Sequence, residues 1–184
     1  MRNNSSFMLT VSFAFVLTAA VAACGDANDS EVADTPPPVT SEYGEVAAVS
    51  FDTATITFVT SGGNVSMAVE VAERADQRAY GLMDRDELAS GAGMIFLYDQ
   101  IQDGSTGFWM YRTLIPLDIA YFDGAGRVVA IHQMMPCTSL DPQRCTGYAA
   151  GVPFFGAVEA NRGFFARNNI TIGDRVTVPG RIGG

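Results

Sequence analysis

The spacing of hydrophobic and polar positions along the chain predicts a protein built mainly from short strands. From position 53 to 60 apolar and polar residues alternate and many are β-branched, which is typical of a half-buried strand. Seven further stretches have strand character, at positions 65–71, 94–98, 108–110, 117–122, 127–134, 157–160 and 170–178. We therefore expect about eight strands.

Helical periodicity is confined to two short segments. Between positions 73 and 83, Ala75, Ala79 and Leu82 fall on one helical face, and Gly81 stands near the end. Positions 161–168 are a second candidate helix. Because the strands dominate and turns such as that at 123–126 join neighbouring strands as hairpins, the pattern predicts an α+β fold. We expect mainly antiparallel pairing, in a barrel-like or open sheet, with one or two short helices.

The N-terminal part of the chain reads as an export signal followed by a tether. Positions 7–23 are apolar and end in Val21-Ala22-Ala23-Cys24, which resembles the lipobox of bacterial lipoproteins. We expect residues 1–23 to be removed and Cys24 to carry a membrane-anchoring lipid; an ordinary signal peptide cut nearby is the alternative. Residues 24–50 are acidic and proline-containing, so we expect a disordered tether, with one globular domain at 51–180. The protein would then lie in the cell envelope, on the periplasmic face of a bacterial membrane.

Charge and motif content exclude several classes of function. All 11 basic residues are arginine, against 20 acids, and the formal net charge is −9. Nucleic-acid binding needs clustered positive charge, so we expect no nucleic-acid partner. A phosphate loop, a dinucleotide fingerprint, a zinc motif and a nucleophile elbow are all missing from the sequence. We therefore expect no cofactor.

Three cysteines support the predicted location. With Cys24 lipidated, Cys137 and Cys145 remain as an even pair in an oxidising compartment. The loop they would close is short, and the chain-entropy contribution of such a disulfide is about 2.5 kcal/mol. A redox-active pair is the less favoured alternative, because the spacing is not Cys-x-x-Cys.

The region of positions 108–118 contains the only tryptophan, Trp109, and ends in Pro116-Leu117-Asp118. Together with positions 78–85, 93–96, 136–138, 159–163 and 169–174, it resembles domain-of-unknown-function family 192, over roughly residues 65–178. The resemblance implies a compact, mainly-β domain and no specific activity. The positions that carry the family motif are Arg78, Gly81, Leu82, Met83, Arg85, Met94, Trp109, Met110, Thr113, Pro116, Asp118 and Glu159.

The motif residues suggest a shallow ligand pocket between the 78–85 segment and the 109–118 loop. If the helix continued past Gly81, Arg74, Arg78 and Arg85 would lie within about 40° of one another and could hold an anion. The alternative is a solvated face in which Arg78 pairs with an acid such as Glu70 or Asp76. The predicted ligand-binding residues are Arg78, Arg85, Trp109, Met110, Thr113, Asp118 and Glu159.

Two other functions compete with a non-catalytic domain that binds a small ligand or a protein. Asp118 and Glu159 could serve as acid or base in an enzyme acting on envelope material, although ion pairing explains such carboxylates more often. His132 and Met134 could bind copper, with Met83, Met94, Met110 and Met135 as further thioethers, although such methionines are usually core filler. Phe154 and Phe155 follow a Gly- and Pro-containing loop and are the best candidates for exposed aromatic surface.

Overall fold

Nine strands and two short α-helices make up the part of the chain that the computed structural model describes, residues 48–105 and 107–182. In chain order they are β1 Asp52–Thr60, β2 Gly63–Ala72, α1 Ala75–Tyr80, β3 Ala92–Gln102, β4 Gly107–Trp109, β5 Leu117–Phe122, β6 Val128–Met134, β7 Gly147–Ala149, β8 Phe154–Asn161, α2 Phe164–Arg167 and β9 Arg175–Thr177. The expected signal peptide, Cys24 and nearly all of the tether lie outside the described residues. Within those residues, every helix is too short or too polar to cross a lipid bilayer.

Seven strands form one sheet in the order β6-β5-β8-β3-β2-β1-β9, and β4 pairs with β7 in a separate ribbon. The pairing is antiparallel throughout except between β2 and β3, because the connection carrying α1 returns the chain in the same direction. The edge strands β6 and β9 share no ladder. An isolated bridge between Arg127 and Arg175 brings their ends together. The sheet is therefore open but barrel-like, and the predicted α+β, mainly antiparallel fold is confirmed.

The large sheet buries apolar side chains on both faces, which form two separate clusters. Strand β5 illustrates the division, since all six of its residues are buried and successive side chains point to opposite faces. Ala120 and Phe122 join the first cluster, with α2 and β9, while Ile119 and Tyr121 join the second. The second cluster packs against the α1 segment and the β4–β7 ribbon, and the candidate site lies there.

Several elements differ from the prediction. Strand β7 was not predicted, β3 is longer than expected and β9 is shorter, but the two differences that bear on the site are in α1 and β8. The helix is shorter than expected, because Gly81 adopts a positive φ of 53° that ends α1 after Tyr80. Strand β8 is longer than expected and begins at Phe154, which pairs with Gln102 and is only 3% exposed. The prediction that Phe154 is exposed is therefore wrong; its ring packs against those of Tyr98 and Tyr121.

The loop between β6 and β7 contains both described cysteines. Cys137 and Cys145 have Cα atoms 5.5 Å apart and are placed as a disulfide pair, within the range that a disulfide spans. The predicted pairing fits this geometry.

Candidate functional site

Helix α1 is fixed at its start by a buried glutamine. The Gln77 side chain accepts hydrogen bonds from the backbone N–H groups of Glu73 and Arg74, at 3.1 and 2.9 Å, and donates to the Ser50 carbonyl at 2.8 Å. These bonds satisfy backbone donors that a helix N-terminus would otherwise leave free. They also hold the next residue, Arg78, in a defined position beside β3.

Arg78 contacts the Tyr98 ring and leaves most of its hydrogen-bond donors unused. Its guanidinium carbon is 4.8 Å from the centre of the Tyr98 ring, a cation–π distance. One nitrogen, Nη1, donates to the carbonyls of Glu73 and Leu97, the latter at 3.0 Å. Arg78 forms no ion pair with any described carboxylate. Three of its five N–H groups are left for another acceptor.

Glu159 lies on β8, between β3 and β5, and points into the second apolar cluster. Its neighbours across the sheet on that face are Met94 and Ile119. The residue is 5% exposed and accepts no hydrogen bond from any described residue. Burial raises the pKa of this carboxyl to about 8. Glu159 is therefore a neutral acid at pH 7, able to donate as well as accept a hydrogen bond.

Two adjoining cavities open beside these groups. A small cavity of about 30 Å³ is lined by Glu159, Arg78, Thr113, Trp109 and Phe108, together with Phe96 and residues 79–83. A larger one of about 140 Å³ is lined by Arg78, Phe108 and Trp109, and also by Tyr98, Gln102, Asp103, Gly107 and Phe154. Because three residues line both cavities, we treat the two as one feature, the Glu159 groove. Trp109 is 46% exposed at its mouth.

A clamp between two loops holds the walls of the groove together. Arg112 donates from Nε and Nη2 to the two carboxylate oxygens of Asp84, at 2.9 and 2.6 Å. The backbone N–H of Asp84 in turn donates to the Arg112 carbonyl at 2.8 Å. Both residues have positive φ, 60° and 54°, a strained conformation for side chains other than glycine. The clamp joins the turn after α1 to the loop between β4 and β5, and Asp84 was missed from the sequence.

The structure brings four of the seven predicted ligand-binding residues together. Arg78, Trp109, Thr113 and Glu159 all line the groove. The condition for a face of three arginines is not met, because α1 ends before Gly81.

The other three predicted residues, Arg85, Met110 and Asp118, lie elsewhere. Arg85 forms an ion pair with Glu70, and Arg74 pairs with Asp76. Met110 is buried beneath the loop of Cys137.

Asp118 lies on the opposite face of the sheet from Glu159. It stands across from Ala160, whereas Glu159 stands across from Ile119, and adjacent registers point to opposite faces. One Asp118 oxygen accepts a hydrogen bond from the Gly163 backbone N–H at 2.8 Å. Burial raises the pKa of Asp118, while the Gly163 N–H bond opposes the rise. The two carboxyls do not form a catalytic pair, and Asp118 orders the turn into α2.

The two residues proposed for copper binding are His132 and Met134. The His132 ring centre is 6.0 Å from that of Tyr121, and its buried Nε2 atom has no partner among the described residues. Met134 is fully buried in the second cluster. Across the described ranges, no three His, Cys, Asp or Glu side chains converge in a metal-binding arrangement. Copper binding through His132 and Met134 stays a prediction.

A larger cavity, of about 500 Å³, lies beside the disulfide loop. Its wall includes Met135, Thr138, Arg144 and Tyr148. It contains no buried carboxyl or other buried side chain that lacks a partner. The smaller Glu159 groove is the better candidate site, because a functional pocket combines apolar walls with convergent polar groups of shifted pKa.

Phe108 and Tyr98 line the groove but are not among the seven predicted ligand-binding residues. Phe108 packs edge-to-face against Phe96 and Tyr121, with centroids 4.8 and 5.6 Å away. Tyr98 supports Arg78. The position of Phe108 beside Trp109 is compatible with a pocket as well as with the core, and the position of Tyr98 at the end of an apolar strand does not indicate a groove.

Comparison with known proteins places the chain in one family. The model of DUF192, described as Uncharacterized ACR, matches residues 57–178. No curated protein matches the chain.

Two crystal structures of bacterial proteins resemble the chain. One, from Novosphingobium aromaticivorans and of unknown function, is 31% identical with a TM-score of 0.61, covering 71% of this chain and 89% of its own. The other, from Sinorhizobium meliloti and named as a candidate transcription regulator, is 26% identical with a TM-score of 0.64, covering 71% and 96%.

Proposed function

The chain belongs to domain-of-unknown-function family 192, whose description names no activity, so we propose a function from the groove itself: a non-catalytic, lipid-anchored envelope domain that binds a small ligand. The observation that carries the proposal is the neutral, unpartnered Glu159 carboxyl inside apolar walls. Burying a polar group without a hydrogen bond is costly. A ligand that bonds to Glu159 would remove this cost.

The composition of the walls favours binding over catalysis. Arg78 and Trp109 supply a cation with unused donors and an exposed aromatic surface. The predicted acid–base pair is not formed, since Asp118 lies on the opposite face of the sheet from Glu159. The lipid on Cys24 and the periplasmic location are part of the proposal and rest on the lipobox and tether.

A role in transcription regulation through nucleic-acid binding, which we considered because of the name of the Sinorhizobium protein, has weaker support here. The chain has nearly twice as many acids as arginines. Five of the described arginines form ion pairs with acids. Phosphate binding would have to compete with that excess of negative charge.

Native mass spectrometry of protein purified from the periplasm tests the proposal. We expect the wild-type protein to carry a discrete extra mass, because a groove with an unsatisfied polar group retains its ligand. Trp109→Ala should lose this mass, since Trp109 is part of the wall. Its side chain is half exposed, so its removal should leave the core intact.

Leu114→Ala is the matched control. Leu114 lies in the loop that follows Trp109 and is 59% exposed, but it does not line the groove. The control should keep the extra mass. A wild-type protein of clean mass, or an adduct retained by Trp109→Ala, would contradict small-ligand binding in the groove.

A further inference from the structure

The groove combines a cation, a neutral acid and aromatic surface, and this combination restricts the ligand class. Resting on the proposed function, we propose that the Glu159 groove binds a small organic carboxylate with a planar apolar body. Arg78 would bind the carboxylate, and the body would lie against Phe108 and Trp109. The neutral Glu159 would donate its O–H to an oxygen of the ligand.

The charge on Arg78 is the first reason. Arg78 has three unused N–H donors, and a guanidinium binds a carboxylate through charge-assisted hydrogen bonds. Its contacts with Leu97 and Tyr98 hold it in place before a ligand arrives, which lowers the entropy lost on binding. A cationic ligand would meet repulsion from the same group.

The other ionisable groups around Glu159 do not change the sign of the charge at the site. Arg78 and Tyr80 reach it from the α1 segment, Tyr98 from β3 and Tyr121 from β5. Burial raises the pKa of both Tyr98 and Tyr121, so each is neutral.

Asp103 lines the larger cavity but not the smaller one, which Glu159 lines. It is exposed and accepts bonds from the Ser105 N–H and hydroxyl, each at 2.8 Å. Near Glu159 itself, Arg78 is the only permanent charge among the described lining residues.

Size is the second restriction. The larger cavity holds about 140 Å³, about the volume of five water molecules. This space suits one ring with one carboxylate, whereas most of a nucleotide or an oligosaccharide would lie outside it. Asp118 and the disulfide-loop cavity lie outside the groove and play no part.

The test uses three probes of nearly one shape: benzoate, benzamide and benzylammonium. Calorimetry measures their affinities for the purified protein, and fluorescence of the single tryptophan, Trp109, reports occupancy of the groove. We expect benzoate to bind about tenfold or more tighter than benzamide near pH 6.5, from a charge-assisted hydrogen bond. Benzylammonium should bind least. Arg78→Gln should abolish the preference for benzoate while keeping benzamide binding, and Arg85→Ala should leave all affinities unchanged.

The pH dependence identifies Glu159. Because its pKa is raised to about 8, its ionisation should weaken benzoate binding about tenfold near pH 9. In Glu159→Gln the affinity should not vary with pH. If Arg78→Gln loses both the preference for benzoate and the binding of benzamide, the variant is misfolded. Arg78→Lys keeps the positive charge and so separates misfolding from loss of the cation.

The outcomes separate this inference from the proposed function. If benzamide or benzylammonium binds more tightly than benzoate and quenches Trp109 fluorescence, the proposal of a carboxylate ligand is overturned, although the groove is still a binding site. Equal benzoate affinity in Arg78→Gln would also overturn it. If no probe binds, the carboxylate inference fails, and the adduct measured by mass spectrometry decides the proposed function separately.

Discussion

Replacing Glu159 by glutamine should remove a large pH-dependent cost from the folded state. The ordinary pKa of this carboxyl is 4.5, and burial raises it to about 8 in the folded protein. Between these values the folded protein keeps a proton that the unfolded chain releases. The stability from this group is therefore fully present below about pH 4.5 and is lost as the pH rises to about 8.

The size of the effect follows from the shift. A change of one pKa unit is worth about 1.4 kcal/mol, so the rise from 4.5 to about 8 corresponds to about 5 kcal/mol. Domains are stable by about 5–15 kcal/mol in total. Glutamine has nearly the same shape and does not ionise, so Glu159→Gln should lose none of this free energy as the pH rises.

Urea unfolding, followed by fluorescence and circular dichroism between about pH 4.5 and 8.5, measures the difference between the two proteins. Other titrating groups, including Asp118, are present in both and cancel. We expect Glu159→Gln to gain stability over the wild type steadily with pH, by up to about 5 kcal/mol near pH 8. A difference that stays constant with pH would refute the reasoning, because Glu159 would then be ionised in the fold.

Two further predictions concern the frame around the groove. Gly156→Ala should reduce the unfolding free energy by about 1–3 kcal/mol, because the added Cβ would meet the buried Phe122 ring and come within 2.7 Å of the Phe96 carbonyl. Gly124→Ala is the control, since its Cβ meets nothing within 4 Å. Asp118→Ala removes the hydrogen bond to Gly163, so its unfolding free energy should fall by about 1–2 kcal/mol while its benzoate affinity is unchanged. A loss of benzoate affinity at unchanged stability would contradict a structural role for Asp118.

The local hydrophobic pattern was enough to predict strands that consist of an unbroken run of apolar residues. The bounds of β5, Leu117–Phe122, agree with the prediction, because all six residues are buried and the run has a proline before it and a turn after it. The hairpin of β5 and β6 also follows from the Asp-Gly turn. Strand β8 was predicted too short, since Pro153 and Gly151 indicate a loop while tertiary pairing with β3 extends the strand back to Phe154.

The groove could be predicted only in part, because it depends on contacts between distant segments. Resemblance to the family identified Arg78, Trp109, Thr113 and Glu159, and the sequence predicted a pocket between the 78–85 segment and the 109–118 loop, but not how Glu159 would reach it. Their meeting requires β8 to lie between β3 and β5, and the sequence alone does not specify that order.

The register of one strand pair decides which buried carboxyl can bind a ligand. Asp118 and Glu159 lie on neighbouring strands and are similarly buried, but they face opposite sides of the sheet. Asp118 receives a backbone hydrogen bond from Gly163, which a carboxyl with a structural role requires. Glu159 receives none from the described residues and lines an accessible groove. An apolar side chain at position 159 would avoid the free-energy cost of burying a carboxyl without a hydrogen bond. A role in ligand binding therefore explains this carboxyl better than a role in stability.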